Sequence, residues 1–299
     1  MENEYSDEYL AISITNELQN LLLNLLKKQF PKTKVYVVIT AQADIKCQVW
    51  PFSIENHIYV LAMSIGTFSS IGAWLRDEII WQKLISKSTY MCKINSADFY
   101  RLAAQMTISA LAYHEIVHII KGHNGYINAG IRISDHERDS RKKICEVDAD
   151  QWCSYLLGGD LLQSAKQLSH ALFNTEKIHQ SITIELLEVL SVGLYRTLAI
   201  FNHPDITPSS LYPHPLLRAT RIAVGTADNI ETSESVSYST TKRLISVLNG
   251  LAYAEKYIKS ENGITQKDWY IGQELMDFEH KYEGLLNQLQ KELVPFIPN

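Results

Sequence analysis

Cysteine is scarce in this chain, and four cysteines in 299 residues do not make a disulfide framework. Long apolar runs are missing too: no run of about 18 apolar residues without charge exists, so we predict no membrane-spanning helix. The chain also lacks a basic surplus, and its net charge of −5 argues against nucleic acid as a partner. The acidic N-terminus has none of the features of a signal peptide. We therefore expect a cytoplasmic protein with reduced thiols and no membrane partner.

The apolar residues that are present, 46% of the chain, follow two periodicities. Residues 8–29 place leucine and isoleucine at helical spacing. Three short stretches rich in β-branched and aromatic residues, 34–40, 46–52 and 57–64, predict a small antiparallel sheet. Further helices are predicted at 64–85, 96–122, 140–159, 177–201, 214–224, 237–258 and 266–292. The pattern predicts an α+β fold that is mostly α-helical.

Capping and turn residues set the predicted boundaries. Ser96 is predicted as the N-cap of a helix that ends at Gly122. Gly158 and Gly159 are predicted to close the helix over 140–159. Two stretches read as loops, namely 124–139 and the proline-rich 202–215.

No repeat or low-complexity tract divides the chain, which favours a single domain over 1–299. Within it we expect an N-terminal helix over 1–30, a core over 34–225 and a C-terminal helical extension over 226–299.

The stretch 112–123, AYHEIVHIIKGH, places ionisable side chains inside an apolar helix. His114 and His118 are four residues apart, so on a helix their imidazoles share one face and can bind one divalent ion. Glu115 lies beside them and can take a proton from a water, as in the HExxH motif. A chance pattern on a buried helix is the alternative, but unpaired ionisable groups are costly to bury. We predict a zinc site with both histidines as ligands and Glu115 as general base.

A catalytic zinc ion needs a third protein ligand. His123 follows His118 by five residues, whereas the pattern HExxHxxGxxH requires six and has glycine in place of Lys121. We therefore predict that His123 caps the helix end as a partly cationic imidazole. The sequence CEVDAD offers Glu146, with Asp150 four residues later on the same helix face. We predict Glu146 as the third ligand and Asp150 as the acceptor for the free ring N–H of a ligand histidine.

The alternative for the CEVDAD segment is an acidic surface patch opposite Arg141 and Lys142. Asp148 points to another side of the helix, where it is solvated or supports the site from behind. Cys145 and Cys153 are eight residues apart, which is not a metal-ligand spacing, so we predict both as core residues.

A third motif, YPHPLLRATRI, spans 212–222 and holds His214 between two prolines. A positioned histidine or arginine in a zinc hydrolase can stabilise an oxyanion, so we predict His214 as a catalytic residue. The alternative is an ordinary helix that starts with proline and has His214 as its cap.

In this order, the HExxH motif, EVDAD and His-Pro with a downstream arginine resemble the gluzincin zinc metallopeptidases. The resemblance is closest to the soluble phage-exclusion Lit-type peptidases, which also carry a histidine five residues after the motif. It is more distant to the membrane-bound Ste24/HtpX/Oma1 type. It covers roughly residues 34–225 and implies a zincin-like core, in which the small sheet packs on an active-site helix pair, with additional C-terminal helices.

The resemblance implies a role for each matching residue. His114, His118 and Glu146 would be the zinc ligands, Glu115 the general base and Asp150 a support for a ligand histidine. His214 would be a transition-state or structural residue. The family's arginine usually follows the His-Pro by six residues, whereas Arg218 and Arg221 follow His214 by four and seven, so the sequence leaves the choice between them open.

These features predict a zinc-dependent endopeptidase that cleaves a protein in the cytoplasm. The strand over 57–64 offers an edge to an extended substrate, and the loops 123–139 and 202–215 are candidates for gating or specificity. The resemblance implies a translation factor as target and a role in phage defence by abortive infection. A cytosolic protease also needs an activating or inhibiting partner. The alternative is a zinc-stabilised helical interaction module without proteolytic activity.

Overall fold

The computed structural model describes residues 7–53, 55–76, 78–129, 134–175, 177–201, 215–233, 240–262 and 284–297. The helices are α1 (Asp7–Gln29), α2 (Ile65–Leu75), α3 (Glu78–Lys87), α4 (Ser96–Ile120), α5 (His123–Asn128), α6 (Asp135–Phe173), α7 (His179–Phe201), α8 (Pro215–Ser233) and α9 (Thr240–Asn262). Residues 284–293 are also helical and are called α10. The strands are β1 (Lys34–Thr40), β2 (Cys47–Ser53) and β3 (Ile58–Ser64). The predicted α+β class, mostly α-helical, is confirmed.

The three strands form one mixed sheet in the order β1-β3-β2. β2 pairs antiparallel with β3, as predicted. β1 instead pairs parallel with β3, from Lys34 opposite Ile58 to Thr40 opposite Ser64, so the prediction of an entirely antiparallel sheet is wrong. The last four residues of β3 are all buried, which suits the central position. Alternation in the sequence predicts strands, but the order of strands depends on which of them buries both faces.

Helix α1 covers the outer edge of β1. The side chain of Gln19 donates a hydrogen bond to the Val35 carbonyl at 3.0 Å and accepts one from the Val37 N–H at 2.7 Å. This contact satisfies backbone groups that an edge strand would otherwise expose. The buried residues Ile14 and Leu18 follow helical spacing on the inner face of α1, as the sequence predicts.

Helix α4 is buried along most of its length and contacts α6, α7 and β2. Its N-cap is Asn95, whose side chain accepts a hydrogen bond from the Asp98 N–H, so Ser96 is the first helical residue and not the predicted cap. The helix ends as predicted, because Gly122 adopts a left-handed φ of 71°. The chain then turns directly into α5. The loop predicted over 124–139 is therefore replaced in part by α5 and by the start of α6.

Helix α6 continues from Asp135 to Phe173, past the two glycines that were predicted to end it. A Cβ atom at Gly158 would lie 3.1 Å from Asn229 Cβ and 3.3 Å from the Thr226 carbonyl oxygen on α8. Glycine at 158 therefore allows α6 and α8 to approach closely, and its role is packing rather than termination.

One apolar cluster joins the helices α1, α2, α4, α6, α7, α8 and α9 with the inner face of the sheet. A smaller cluster joins α5, α6 and α10 around Tyr126, Cys145, Leu289 and Leu293. Helices α8 and α9 extend to Ser233 and Asn262, beyond their predicted ends. Most of the helix predicted over 266–292 falls on residues 263–283, which lie outside the described residues. Within the described part of the chain, no helix is both long and apolar enough to cross a membrane.

Candidate metal centre

Two histidines of α4 face each other one turn apart in the interior. His114 Nε2 and His118 Nε2 are 3.3 Å apart, and both side chains are buried. They lie on the same face because four residues make about one turn of an α-helix. The predicted pairing of the two imidazoles is therefore present.

Helix α6 brings a carboxylate to this pair. Glu146 Oε2 lies 3.0 Å from His114 Nε2, and Glu146 Oε1 lies 3.5 Å from His118 Nε2. The three side chains offer ligand atoms that all lie within 4.8 Å of one another. Burial raises the pKa of Glu146, but the neighbouring His118 and His114 have the larger opposite effect. The pKa falls to about 2, so the carboxylate is ionised. This buried group could hold a metal ion.

Asp150 lies behind His114, one turn along α6 from Glu146. Its Oδ1 accepts a hydrogen bond from His114 Nδ1 at 2.9 Å. Arg218 from α8 donates to both carboxylate oxygens, from Nη2 at 2.8 Å and from Nε at 2.9 Å. Burial raises the pKa of Asp150, and the Arg218 charge more than reverses this shift, which leaves the pKa well below its usual range. Asp150 therefore fixes the ring of His114 so that its Nε2 faces Glu146.

Arg218 is the arginine that the structure brings to the centre. Its Nη2 lies 3.4 Å from both ring nitrogens of His114 and 3.8 Å from Glu146 Oε2. The sequence alone left open which arginine this would be. His214 belongs to residues 202–214, which lie outside the described residues, so its predicted catalytic role stays a prediction.

Glu115 points from α4 towards the sheet. Its Oε2 accepts a hydrogen bond from the Val49 N–H of β2 at 3.1 Å. Burial raises the pKa of this carboxyl to about 7, although the nearby His114 acts in the opposite direction. Glu115 lies beside the three ligand candidates without belonging to their group.

His123 is not the cap that the sequence predicts. Its side chain is buried, and its Nδ1 lies 3.0 Å from Nδ1 of His118. Its Nε2 lies 3.0 Å from Asp148 Oδ2. Burial lowers the pKa of His123, so its imidazole is neutral rather than cationic. The left-handed turn at Gly122 folds α5 back and brings the ring behind His118.

The alternative interpretation of the CEVDAD segment, an acidic surface patch, is wrong. Asp148 and Asp150 are buried, and the Glu146 side chain is only 16% exposed. Cys145 and Cys153 are buried too, which confirms them as core residues. Sequence periodicity did not reveal the burial of Asp148, because a 39-residue helix that packs on several neighbours has no single polar face.

A cleft of about 200 Å³ opens onto the centre. His114, Glu115, Glu146 and Arg218 form its polar floor. Its other walls are mainly apolar and come from β2 and the segment before it, from α4, α7 and α8; they include Leu111, Leu194, Leu198, Phe201 and Ile222. The strand at the cleft is β2, which is an edge strand. The expectation that the strand over 57–64 offers this edge is wrong, because β3 is the central strand.

Comparison with known proteins finds no counterpart for this chain. No protein-family model, no curated protein and no solved structure matches it. The resemblance to gluzincin peptidases therefore stays a prediction that rests on the three sequence motifs. The buried group of His114, His118 and Glu146 is nevertheless a site that can hold a metal ion.

Proposed function

We propose that this chain is a zinc-dependent endopeptidase with its active site at the cleft between β2, α4, α6 and α8. The observation that carries the proposal is a buried group of two imidazoles and one carboxylate with a further carboxylate, Glu115, beside it. Three protein ligands leave one position of a tetrahedral zinc ion open, which is typical of catalytic zinc sites.

The donor set fits zinc in type and spacing. With bonds of about 2.0–2.1 Å, tetrahedral zinc holds its ligand atoms roughly 3.3 Å apart. The two Nε2 atoms are 3.3 Å apart, and Glu146 approaches each histidine with a different oxygen: Oε2 lies 3.0 Å from His114 Nε2 and Oε1 lies 3.5 Å from His118 Nε2. Two imidazole nitrogens disfavour magnesium and calcium, which prefer oxygen ligands.

Bound zinc would supply Lewis-acid activation of a water and of a scissile carbonyl. Glu115 would take the proton of the attacking water and pass it to the leaving amine. In the metal-free protein, burial raises the pKa of the Glu115 carboxyl to about 7, which suits a group that exchanges protons near neutral pH. The Val49 N–H holds the carboxylate towards the cleft.

The edge of β2 supports a polypeptide as substrate. The Val49 N–H points away from β3 towards Glu115, so this edge of the sheet faces the site. A peptide added to β2 as a further strand would run past Glu115, with side chains against the apolar walls of the cleft. The family resemblance adds to the proposal a cytoplasmic target such as a translation factor, a role in abortive infection, and a restraining or activating partner.

The competing function is a metal-stabilised helical interaction module. A structural zinc site needs neither an open position nor a carboxylate beside its histidines. Glu115 is such a carboxylate, and it lines an open cleft. This placement favours hydrolysis over a structural role.

One experiment separates the two functions. Purified wild-type protein and the Glu115→Gln variant are incubated with a cell lysate of the expression host, new protein N-termini are identified by mass spectrometry, and zinc is quantified in both proteins. We expect near-stoichiometric zinc in both and new termini with the wild type alone. Equal sets of termini in two zinc-loaded proteins would favour the interaction module, and absence of zinc from both would refute the metal centre.

A further inference from the structure

A series of hydrogen bonds between buried side chains runs from His118 away from the cleft. His118 Nδ1 contacts His123 Nδ1 at 3.0 Å, and His123 Nε2 contacts Asp148 Oδ2 at 3.0 Å. His123 and Asp148 are both 0% exposed. Burying an imidazole and a carboxylate is costly unless each is hydrogen-bonded. Each of these contacts is therefore a hydrogen bond with one donor and one acceptor.

The direction of each hydrogen bond follows from the carboxylate. Asp148 accepts, so His123 Nε2 carries the proton. A neutral imidazole has one donor and one acceptor nitrogen, so a His123 ring that donates from Nε2 accepts at Nδ1. His118 Nδ1 must then donate to it, and the lone pair of His118 lies on Nε2, the atom that faces His114 and Glu146. This series of hydrogen bonds thus selects the tautomer of His118 that can bind a metal ion.

The series of hydrogen bonds continues from Asp148 to α10, the C-terminal helix. Gln290 Nε2 donates to Asp148 Oδ1 at 2.5 Å, and Lys121 Nζ donates to Gln290 Oε1 at 2.7 Å. Lys121 also lies over the ring of Trp152, 4.1 Å from its centroid. Gln290 therefore has a fixed orientation and presents its N–H to the carboxylate.

Apolar contacts hold α10 at this position. Leu289 and Leu293 are buried against Tyr126 and Cys145. The Tyr126 hydroxyl donates to Glu292 Oε2 at 2.6 Å. Gln290 thus approaches Asp148 on a helix that is packed against α5 and α6, the two helices that carry His123 and Asp148.

We propose that His123, Asp148 and Gln290 are positioning residues of the metal centre, through which the C-terminal helix sets the metal affinity of His118. Each proposed ligand histidine is then oriented by an aspartate. His114 is hydrogen-bonded directly to Asp150, and His118 is connected to Asp148 through His123. Partners of this kind orient the imidazole and raise its basicity. The inference rests on the metal centre of the proposed function but not on peptide hydrolysis.

The test measures zinc affinity of the purified full chain by competition with a chromophoric chelator. Asp148→Asn keeps an oxygen for His123 and removes the charge, and we expect it to weaken zinc binding roughly 10-fold, at the low end of the range for such partners. Gln290→Ala should weaken it by roughly 3-fold, since it acts one bond further away. The controls are Asp160→Asn, a partly buried aspartate of α6 that accepts a hydrogen bond from the Tyr113 hydroxyl, and Gln288→Ala, on the exposed face of α10.

A second pair of variants separates positioning from a merely structural role. His123→Asn offers His118 an oxygen acceptor, whereas His123→Leu offers none, so zinc affinity should fall further in the leucine variant. The visible spectrum of bound cobalt should change in the same order. Thermal unfolding of the metal-free proteins reports on folding separately.

Affinities of Asp148→Asn and Gln290→Ala that equal those of their controls would overturn the positioning inference. It would also be overturned if the two His123 variants bound zinc equally, or if the wild type bound none. Zinc-loaded wild-type protein that cleaves nothing would refute the proposed peptidase and leave this inference standing.

Discussion

The most decisive stability prediction concerns the ion pair between Arg218 and Asp150. Two hydrogen bonds of 2.8 and 2.9 Å join these side chains, which are 8% and 2% exposed. The variant Arg218→Met keeps the length of the side chain but leaves a buried carboxylate without its main counter-charge. Breaking a buried pair from one side costs about 3–5 kcal/mol. For a chain of this size we expect a fall in Tm of roughly 6–10 °C, from about 2 °C per kcal/mol.

The control is an arginine–carboxylate pair on the surface. Arg101 Nη2 lies 3.0 Å from Glu17 Oε1, but these side chains are 49% and 38% exposed. Removing an exposed pair costs about 0–1 kcal/mol, so Arg101→Met should change Tm by no more than about 2 °C. The comparison contrasts a buried pair joined by two hydrogen bonds with an exposed pair joined by one, at nearly the same distance.

Urea unfolding of the metal-free proteins as a function of pH completes the test. Arg218 depresses the pKa of Asp150, so this stabilisation is present above the unfolded pKa of about 3.9 and is lost as the pH falls through the folded pKa. The gap between wild type and Arg218→Met should therefore be widest near pH 7 and narrow below about pH 4. Equal destabilisation by Arg218→Met and Arg101→Met, or a gap that is independent of pH, would refute the reasoning.

Three further predictions concern the metal centre and the turn behind it. Glu146→Ala removes the proposed third ligand, and zinc content after dialysis should fall well below that of the wild type; unchanged content would refute this assignment. Burial lowers the pKa of His114, but hydrogen bonds to Asp150 and Glu146 raise it to about 10 in the metal-free protein. Zinc uptake at pH 7 should therefore release about one proton, measured by calorimetry in buffers of different ionisation enthalpy, and zinc affinity should rise with pH; an affinity independent of pH between 6 and 8 would contradict this. Gly122→Ala should destabilise the chain by more than about 1 kcal/mol, because φ is 71° and a Cβ would lie 2.2 Å from the Phe296 carbonyl oxygen; unchanged urea unfolding would refute the required turn.

The elements with clear periodicity could be predicted from the sequence. The three strands, α1, α4 and α7 lie close to their predicted ranges. The order of the strands could not be predicted, because it depends on which strand buries both faces, and β3 lies between β1 and β2. The glycines at 158 and 159 misled the prediction because close packing between helices and helix termination both favour glycine.

The candidate site divides in the same way. The group of His114, His118 and Glu146 could be predicted from the sequence. The two histidines lie one helical turn apart, and a zinc site with two histidines needs a third ligand, which the CEVDAD segment of another helix offers. The roles of His123 and Asp148 depend on the turn at Gly122, which reverses the chain behind His118. Gln290 lies 142 residues from Asp148, so no local pattern connects them.

X-ray absorption at the zinc edge of the purified protein tests the central claim most directly. The account predicts one zinc ion per chain with about two imidazole nitrogens at roughly 2.0–2.1 Å, a carboxylate oxygen and a water in the first shell. Protein without zinc would contradict it. So would zinc with sulfur ligands at roughly 2.3 Å, which would assign the ion to cysteines and leave His114, His118 and Glu146 as a metal-free buried network.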